Sequence, residues 1–405
     1  MTRTDTERRY ELDWLRCLAF AVLILYHLGM YYVADWGWHV KTDQPQVWLQ
    51  DLMIFSNPWR MSLLFLLGGM ALSLICQKYQ PLQLLGLRSK RLLIPLLFTM
   101  AVLVVPQVYF EALSQQLIEP GYLKFWQQYI NPWTSLLPQH HSPIGLLTWN
   151  HAWFIPYLWC YSLLALAALP LLQWLVRQAQ HWPAWLALLL VLLVLAAAWY
   201  WLKPLHPSTH ALVDDWYNHA KYLPVFLAGF VLARQNLWWG QLLHYRRLWL
   251  LLALLSYALI IADRHQWFDS LEDPAGTQWW LMLIVVLVVV LNHWCFLLAI
   301  LGYAGRYLAG RNSSWLAYCN QAILPWYLLH QTLIIVFAMT LKPLALAAGP
   351  EALLILLCTL GSGALAFEGI RRSRLSCLLF GLNPPALPKS VDVAGTRQVS
   401  GAPEA

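Results

Sequence analysis

Charge is what this chain lacks. Only 11% of its 405 residues are Asp, Glu, Lys or Arg, where a soluble domain carries about 25%. Hydrophobic residues make up 60%, and the mean hydropathy is +0.52. A soluble protein of 46.7 kDa needs a charged shell that so few ionisable residues cannot build. The same apolar composition excludes a disordered chain. Cysteine is scarce as well. There are seven, an odd number with no CxxC spacing, mostly inside or beside apolar runs. That excludes a secreted disulfide scaffold and gives no metal cluster. There is no internal repeat and no nucleic-acid-binding module. The first apolar stretch is too long for a signal-peptide core and lacks a small-residue cleavage site, so it is expected to remain as a membrane span.

What is present points to a polytopic membrane protein. The 25 Trp and 19 Tyr far exceed ordinary usage, and both rings favour membrane interfaces. Apolar runs of spanning length predict an all-α bundle of about ten transmembrane helices. They fall near 12–33, 51–76, 92–113, 152–175, 184–203, 220–238, 247–263, 278–301, 316–341 and 351–370. With the N-terminus placed in the cytoplasm, eighteen Lys and Arg fall in cytoplasmic segments and six on the other side; Arg16 and Arg60 lie within spans. By the positive-inside rule both termini are cytoplasmic. The net charge of +7 is explained by this bias without invoking nucleic acid. The expected organisation is a cytoplasmic N-terminus (1–11), a membrane domain (12–383) and a disordered cytoplasmic tail (384–405). The long outer loop 114–150 is rich in Pro and aromatics, and is long enough to form a lid or cap.

Ionisable and polar groups inside spans are costly and are therefore functional candidates. The first span holds Asp13, Arg16 and His27. Arg16 and His27 are eleven residues apart, about 20° beyond three full turns, so they share one face at a separation of roughly 16 Å. Asp13 stands three residues before Arg16, close enough to pair with it. Read without further context, Asp13 and Arg16 fit an interfacial anchor equally well, and His27 fits a hydrogen-bonded packing residue. Arg60, near the outer end of the second span, fits a snorkelling side chain, and Gly68-Gly69 fits close helix packing. Arg88, Lys90 and Arg91 fit either a phosphate grip or a topology anchor. Asn292-His293, Asn320-Gln321 and His330-Gln331 add polar groups that together favour a polar cavity between helices.

In order along the chain, these segments resemble the bacterial integral-membrane acyltransferases of acyltransferase family 3. Leu12-Asp13-Trp14-Leu15-Arg16, followed by ten residues and His27, resembles the family's opening motif and its Arg-to-His spacing. Arg88 and Arg91 resemble its Arg-x-x-Arg motif. Gly68-Gly69 stands where the family usually has Ser-Gly, a small departure. Trp153-Phe154-Ile155 and Tyr327-Leu328-Leu329-His330-Gln331 also match, as does the ten-span plan. The resemblance covers roughly residues 8–383. Trp59-Arg60-Met61, Leu329-His330-Gln331 and Phe380-Gly381 are most similar to the branch containing the periplasmic-glucan succinyltransferase.

The resemblance implies transfer of an acetyl or succinyl group from cytoplasmic acyl-CoA, a co-substrate rather than a resident cofactor, to a hydroxyl of an envelope glycan or lipid-linked saccharide. It implies His27 as general base or transient acyl carrier, with Arg16 and Asp13 beside it in the catalytic set. Arg88, Lys90 and Arg91 would hold the donor, and Arg60, Trp153, His330 and Gln331 would contact substrate. The expected location is the bacterial inner membrane, among lipid and saccharide partners and with a homo-oligomer allowed. Two other readings use the same polar spans: a transporter or flippase, and a non-catalytic membrane sensor. The sequence shows none of the inverted repeats or paired broken helices common in transporters.

Overall fold

The computed structural model describes residues 8–269 and 279–384. The described residues are helical, with only isolated bridges and no strand. Residues 1–7 of the expected N-terminal segment, and the expected tail beyond Pro384, lie outside them. The chain runs through α1 (Tyr10–Tyr32), α2 (Leu49–Ser56), α3 (Arg60–Ile75), α4 (Pro81–Phe98) and α5 (Val105–Ser114). A short α6 (Tyr122–Tyr129) is followed by α7 (Phe154–Ala167), α8 (Leu169–Ala179), α9 (Ala184–Ala197) and α10 (Trp216–Leu232). The rest is α11 (Asn236–His244), α12 (Arg246–Arg264), α13 (Trp279–Tyr307), α14 (Ser314–Leu341), α15 (Ala348–Ile370) and α16 (Arg374–Leu379). In lipid every backbone polar group must be satisfied within the segment, which only helices achieve in an open chain.

Among the described residues, seven helical stretches are long and apolar enough to cross a membrane, and nine if each of two bent pairs counts as one. The expected fourth span breaks by 80° between α7 and α8, and the expected seventh is α12, preceded by α11 at a 63° bend. Pro170, in the first turn of α8, cannot continue the preceding helix. The expected span 220–238 is α10, which stops at Leu232. This helix is shorter than a typical span and packs against α3 across two glycines. A Cβ on Gly69 would collide with the Phe226 carbonyl, and one on Gly229 with the Leu66 carbonyl. Small residues let two backbones touch where hydrophobic association has no driving force, so Gly68-Gly69 serves the packing role expected of it.

α1 buries Leu12, Leu15, Ala19 and Leu23 in the main core. The 3-4-4 spacing keeps them on one stripe. Further along, Ile24, Leu28, Tyr31 and Tyr32 pack with Ile334, Ile335 and Ala338 of α14 and Ile355 of α15. The α4–α5 segment is irregular. Pro95 inside α4 and Pro106 in the first turn of α5 bracket a π-helical turn, Thr99–Leu103. Proline removes ladder donors, and carbonyls here take partners from outside the helix. The Met100 carbonyl accepts from Tyr129 Oη at 3.1 Å, the Ala101 carbonyl from Trp126 Nε1 at 2.8 Å, and the Leu103 carbonyl from Thr332 Oγ1 at 2.6 Å. Tyr129 and Trp126 belong to α6, so the 114–150 loop is a folded cap seated on the kink. Tyr109, Phe125, Tyr129, Leu137 and Leu146 form its own small core.

Candidate active site

α1 carries a charge pair near its start and an imidazole near its end. Arg16 Nη1 lies 3.2 Å from Asp13 Oδ1, the expected three-residue pair. Asp13 also accepts from Arg8 at 2.9 Å and from Asn320 Nδ2 of α14 at 3.1 Å. The carboxylate is therefore saturated by three donors, and Arg16 has a fixed counter-charge. Arg16, Arg88 and Arg91 lie within electrostatic range of one another. Arg88 donates from Nη1 to Ser162 Oγ of α7 at 2.5 Å, while Arg91 and Lys90 are exposed. Arg88 and Arg91 share a helix face, whereas Lys90 is about 200° round from Arg88, so the expected donor-binding trio is brought together only as a pair.

His27 sits at the other end of the stripe and meets His330 of α14. His27 Nδ1 and His330 Nε2 are 2.7 Å apart, with the rings stacked at 4.9 Å. His330 Nδ1 faces the Tyr327 carbonyl at 2.8 Å and the Trp326 carbonyl at 3.2 Å. A carbonyl only accepts, so His330 carries its proton on Nδ1 and its Nε2 is an acceptor. For two neutral rings, His27 must then donate from Nδ1, and its Nε2 presents a lone pair. His330 is 1% exposed, whereas His27 is partly accessible, and its Nε2 has no partner among the described residues. Pairing on one nitrogen fixes the tautomer and leaves the other free to act.

Around this pair lies a polar layer. The His151 ring is edge-on to His330 at 5.3 Å. Its Nε2 donates to the Leu328 carbonyl at 3.1 Å, and its Nδ1 accepts from Gln107 Nε2 at 3.0 Å. Gln107 also bonds Thr332 at 2.7 Å and accepts from Gln331 at 3.0 Å. Gln331 is thus buried and bonded to Gln107. Trp153 stacks near Tyr222 at 5.6 Å and His210 at 4.3 Å, at the mouth of α7. Loop residue Asp215 anchors that mouth. Burial works against its charge, but hydrogen bonds from Tyr157, Asn218 and the Thr209 amide hold its carboxyl below the usual range.

Arg60 does not snorkel. It is 5% exposed, its Cζ lies 3.4 Å from the Tyr26 ring centroid, and its Nε and Nη1 are buried without a hydrogen-bond partner. It forms no ion pair among the described residues. Lys221 of α10 is within electrostatic range of Arg60 and likewise has no carboxylate partner among them, resting over the Tyr222 ring at 5.0 Å. Lys221, Tyr26 and Gln107 escape sequence reading. Lys221 counts there as a loop charge, and Gln107 is one amide in an apolar run.

A multi-pass helix bundle with a histidine pair in its interior, paired arginines at one end and a spare cation near the histidines is an integral-membrane enzyme class rather than a soluble one. The chain belongs to the family-3 acyltransferases: the family described as "Acyltransferase domain" matches residues 9–367. The chain is also similar to proteins named "Glucans biosynthesis protein C". It is 26% identical to the Shigella dysenteriae protein over 158 residues, 38% of this chain and 37% of that one. The Escherichia coli protein gives the same identity and coverage. The aligned stretch therefore spans little more than a third of these relatives. No solved structure matches the chain at a significant level.

Proposed function

We propose that this chain is a membrane-embedded O-acyltransferase that moves an acyl group from acyl-CoA to a sugar hydroxyl of an envelope glycan. The observation that carries the reading is the His27–His330 contact at 2.7 Å, with His330 Nδ1 tied to the Tyr327 carbonyl. It leaves His27 Nε2 as an oriented base. The acceptor hydroxyl gives its proton to Nε2 as its oxygen bonds to the thioester carbonyl carbon. The carbon–sulfur bond then breaks, and the imidazolium returns the proton to the leaving thiolate. Such help is worth about 10²–10⁴-fold. Family membership favours this chemistry over transport or sensing, and the name "Glucans biosynthesis protein C" of the relatives favours a glucan acceptor.

The donor's phosphates fit the end where Arg16, Arg88 and Arg91 gather. That end is assigned to the cytoplasm of a bacterial inner membrane, with both termini there, on the excess of Lys and Arg. A succinyl donor is favoured over acetyl. A buried guanidinium without a counter-charge is costly, and the free carboxylate of a succinyl group would supply one to Arg60, with Lys221 beside it. Purified protein supplied with succinyl-CoA or acetyl-CoA and a gluco-oligosaccharide should give an acylated sugar by mass spectrometry, faster with succinyl-CoA. A His27→Ala protein that folds and still transfers at full rate would sink the assignment. An acylated His27 trapped by rapid quench would replace the base with a covalent carrier.

A further inference from the structure

Between the cap and the end of α5 lies a second, polar cavity that opens to solvent. It has a volume of about 280 Å³ and lies between the end of α5 and the segment 137–150. Its polar lining includes Glu111, Gln115, His140, Ser142, Thr148 and Asn150. The contrast with the larger cavity of the bundle is informative. That one, about 690 Å³ between α8, α9, α10, α11, α12 and α13, is lined almost wholly by Leu, Val, Ala and Trp, as a lipid-facing groove would be. The polar cavity is built for a ligand that carries hydroxyls. We propose that it is a saccharide subsite, holding a neutral sugar unit of the acceptor. The proposal deepens the acyl-transfer reading above and rests on it for the word acceptor.

Three observations support it. The first is chemical. Glu111 is held by His39 Nδ1 at 2.5 Å through one carboxylate oxygen, leaving the other to accept from sugar hydroxyls. The exposed side chains of Gln115 and His140 have no hydrogen-bond partner among the described residues and are free to reach a ligand. A neutral polyol, whose hydroxyls both donate and accept, satisfies a carboxylate, an amide and an imidazole together. An anionic donor is disfavoured beside Glu111.

The second observation is that the wall is preorganised. Ser142 Oγ donates to the Leu147 carbonyl at 2.8 Å, and Thr148 Oγ1 to Asn150 Oδ1 at 3.1 Å. Two lining residues that are not glycine, Leu137 and Asn150, stand at φ of 50° and 40°. Such left-handed backbone persists where surroundings enforce it, and it concentrates at ligand sites.

The third observation is position. Asn150 Nδ2 donates to Gln107 Oε1 at 3.2 Å, and Gln107 bonds His151, which abuts His330. One wall of the polar cavity is thus bonded to the wall of the His27–His330 site, so a sugar seated here is held by the same network that frames the base.

The test measures binding without any acyl donor. A neutral gluco-oligosaccharide is titrated into the full-length protein in detergent by calorimetry. The unmodified protein should bind it, and Gln115→Trp, which fills the cavity from an exposed position at the end of α5, should raise Kd at least tenfold. A melting temperature for each protein reports folding; where Gln115→Trp unfolds the cap, His140→Ala should raise Kd severalfold instead. No binding to the unmodified protein, or equal Kd in a folded variant, overturns the subsite. Because no acyl-CoA is present, failure to turn over acyl-CoA would count against the acyl-transfer reading alone.

Discussion

The two ends of α1 handle arginine in opposite ways. Near the start, Arg16 faces Asp13, which is shared with Arg8 and Asn320. Near the end, Arg60 reaches α1 over the Tyr26 ring with two buried nitrogens unsatisfied. Arg60 is buried whereas the Arg16 side chain is 29% exposed, and a buried charge without a partner is costly. The first is a finished ion pair. The second is unfinished, and it stands within electrostatic range of His27, whose Nε2 has no partner among the described residues. The guanidinium with two unpartnered nitrogens and the imidazole with an open nitrogen are neighbours.

The hardest way to break this comparison is at His27. His27→Ala is expected to cut acyl transfer by about 10²–10⁴-fold with the fold intact, measured as product per enzyme at saturating donor. His330→Ala is expected to cost about 10–100-fold, by analogy with the loss of a group that orients a metal-bound imidazole. His330→Gln, whose side-chain oxygen can still accept from His27 Nδ1, should recover part of that rate. A purely structural role for His330 predicts loss of melting temperature and no such rescue.

Arg60→Gln sharpens the comparison next. It removes the spare charge and should slow succinyl transfer by about 10–100-fold, the equivalent of one charge-assisted bond, while acetyl transfer changes little. Equal losses with both donors would return Arg60 to packing. Asp13→Asn tests the other end by making Arg16 resemble Arg60. Two of Asp13's three donors are charged, so the variant should lose about 1.5–3 kcal/mol of stability, seen in a thermal melt, with donor preference unchanged.

How much of this was legible beforehand follows from range. The long helices were readable because a spanning run is a local property. Arg16 and His27 were readable as one stripe because helix periodicity is also local. The His27 partner was not, since it lies 303 residues away, and only the fold brings α14 against α1. Arg60 looked like an interfacial residue because burial depends on α10 closing over α3 through Gly69 and Gly229. The end of α8 is likewise fixed by a distant neighbour: Gln235 Nε2 bonds the Val176 carbonyl at 2.7 Å, pinning it to the start of α11. Gln107 is a single polar letter, and its meaning comes from the π turn and from α14.

The smallest effect lies at the mouth above Arg60, where the loop before α10 holds His210 against Trp153 at 4.3 Å. Burial pushes the His210 imidazole below its usual 6.5, with Lys221 acting the same way and Asp215 opposing. The unfolded chain therefore takes up this proton before the folded one does. Stability from this group is complete above about pH 6.5 and falls as pH drops below that value, by up to about 1.4 kcal/mol per pH unit. His210→Gln removes the titration. The melting temperature of the variant should lose less than that of the parent between pH 7.5 and pH 5.5. Parallel pH profiles would mean that His210 carries its proton at no cost, and that the mouth is wetter than the closed floor around Arg60.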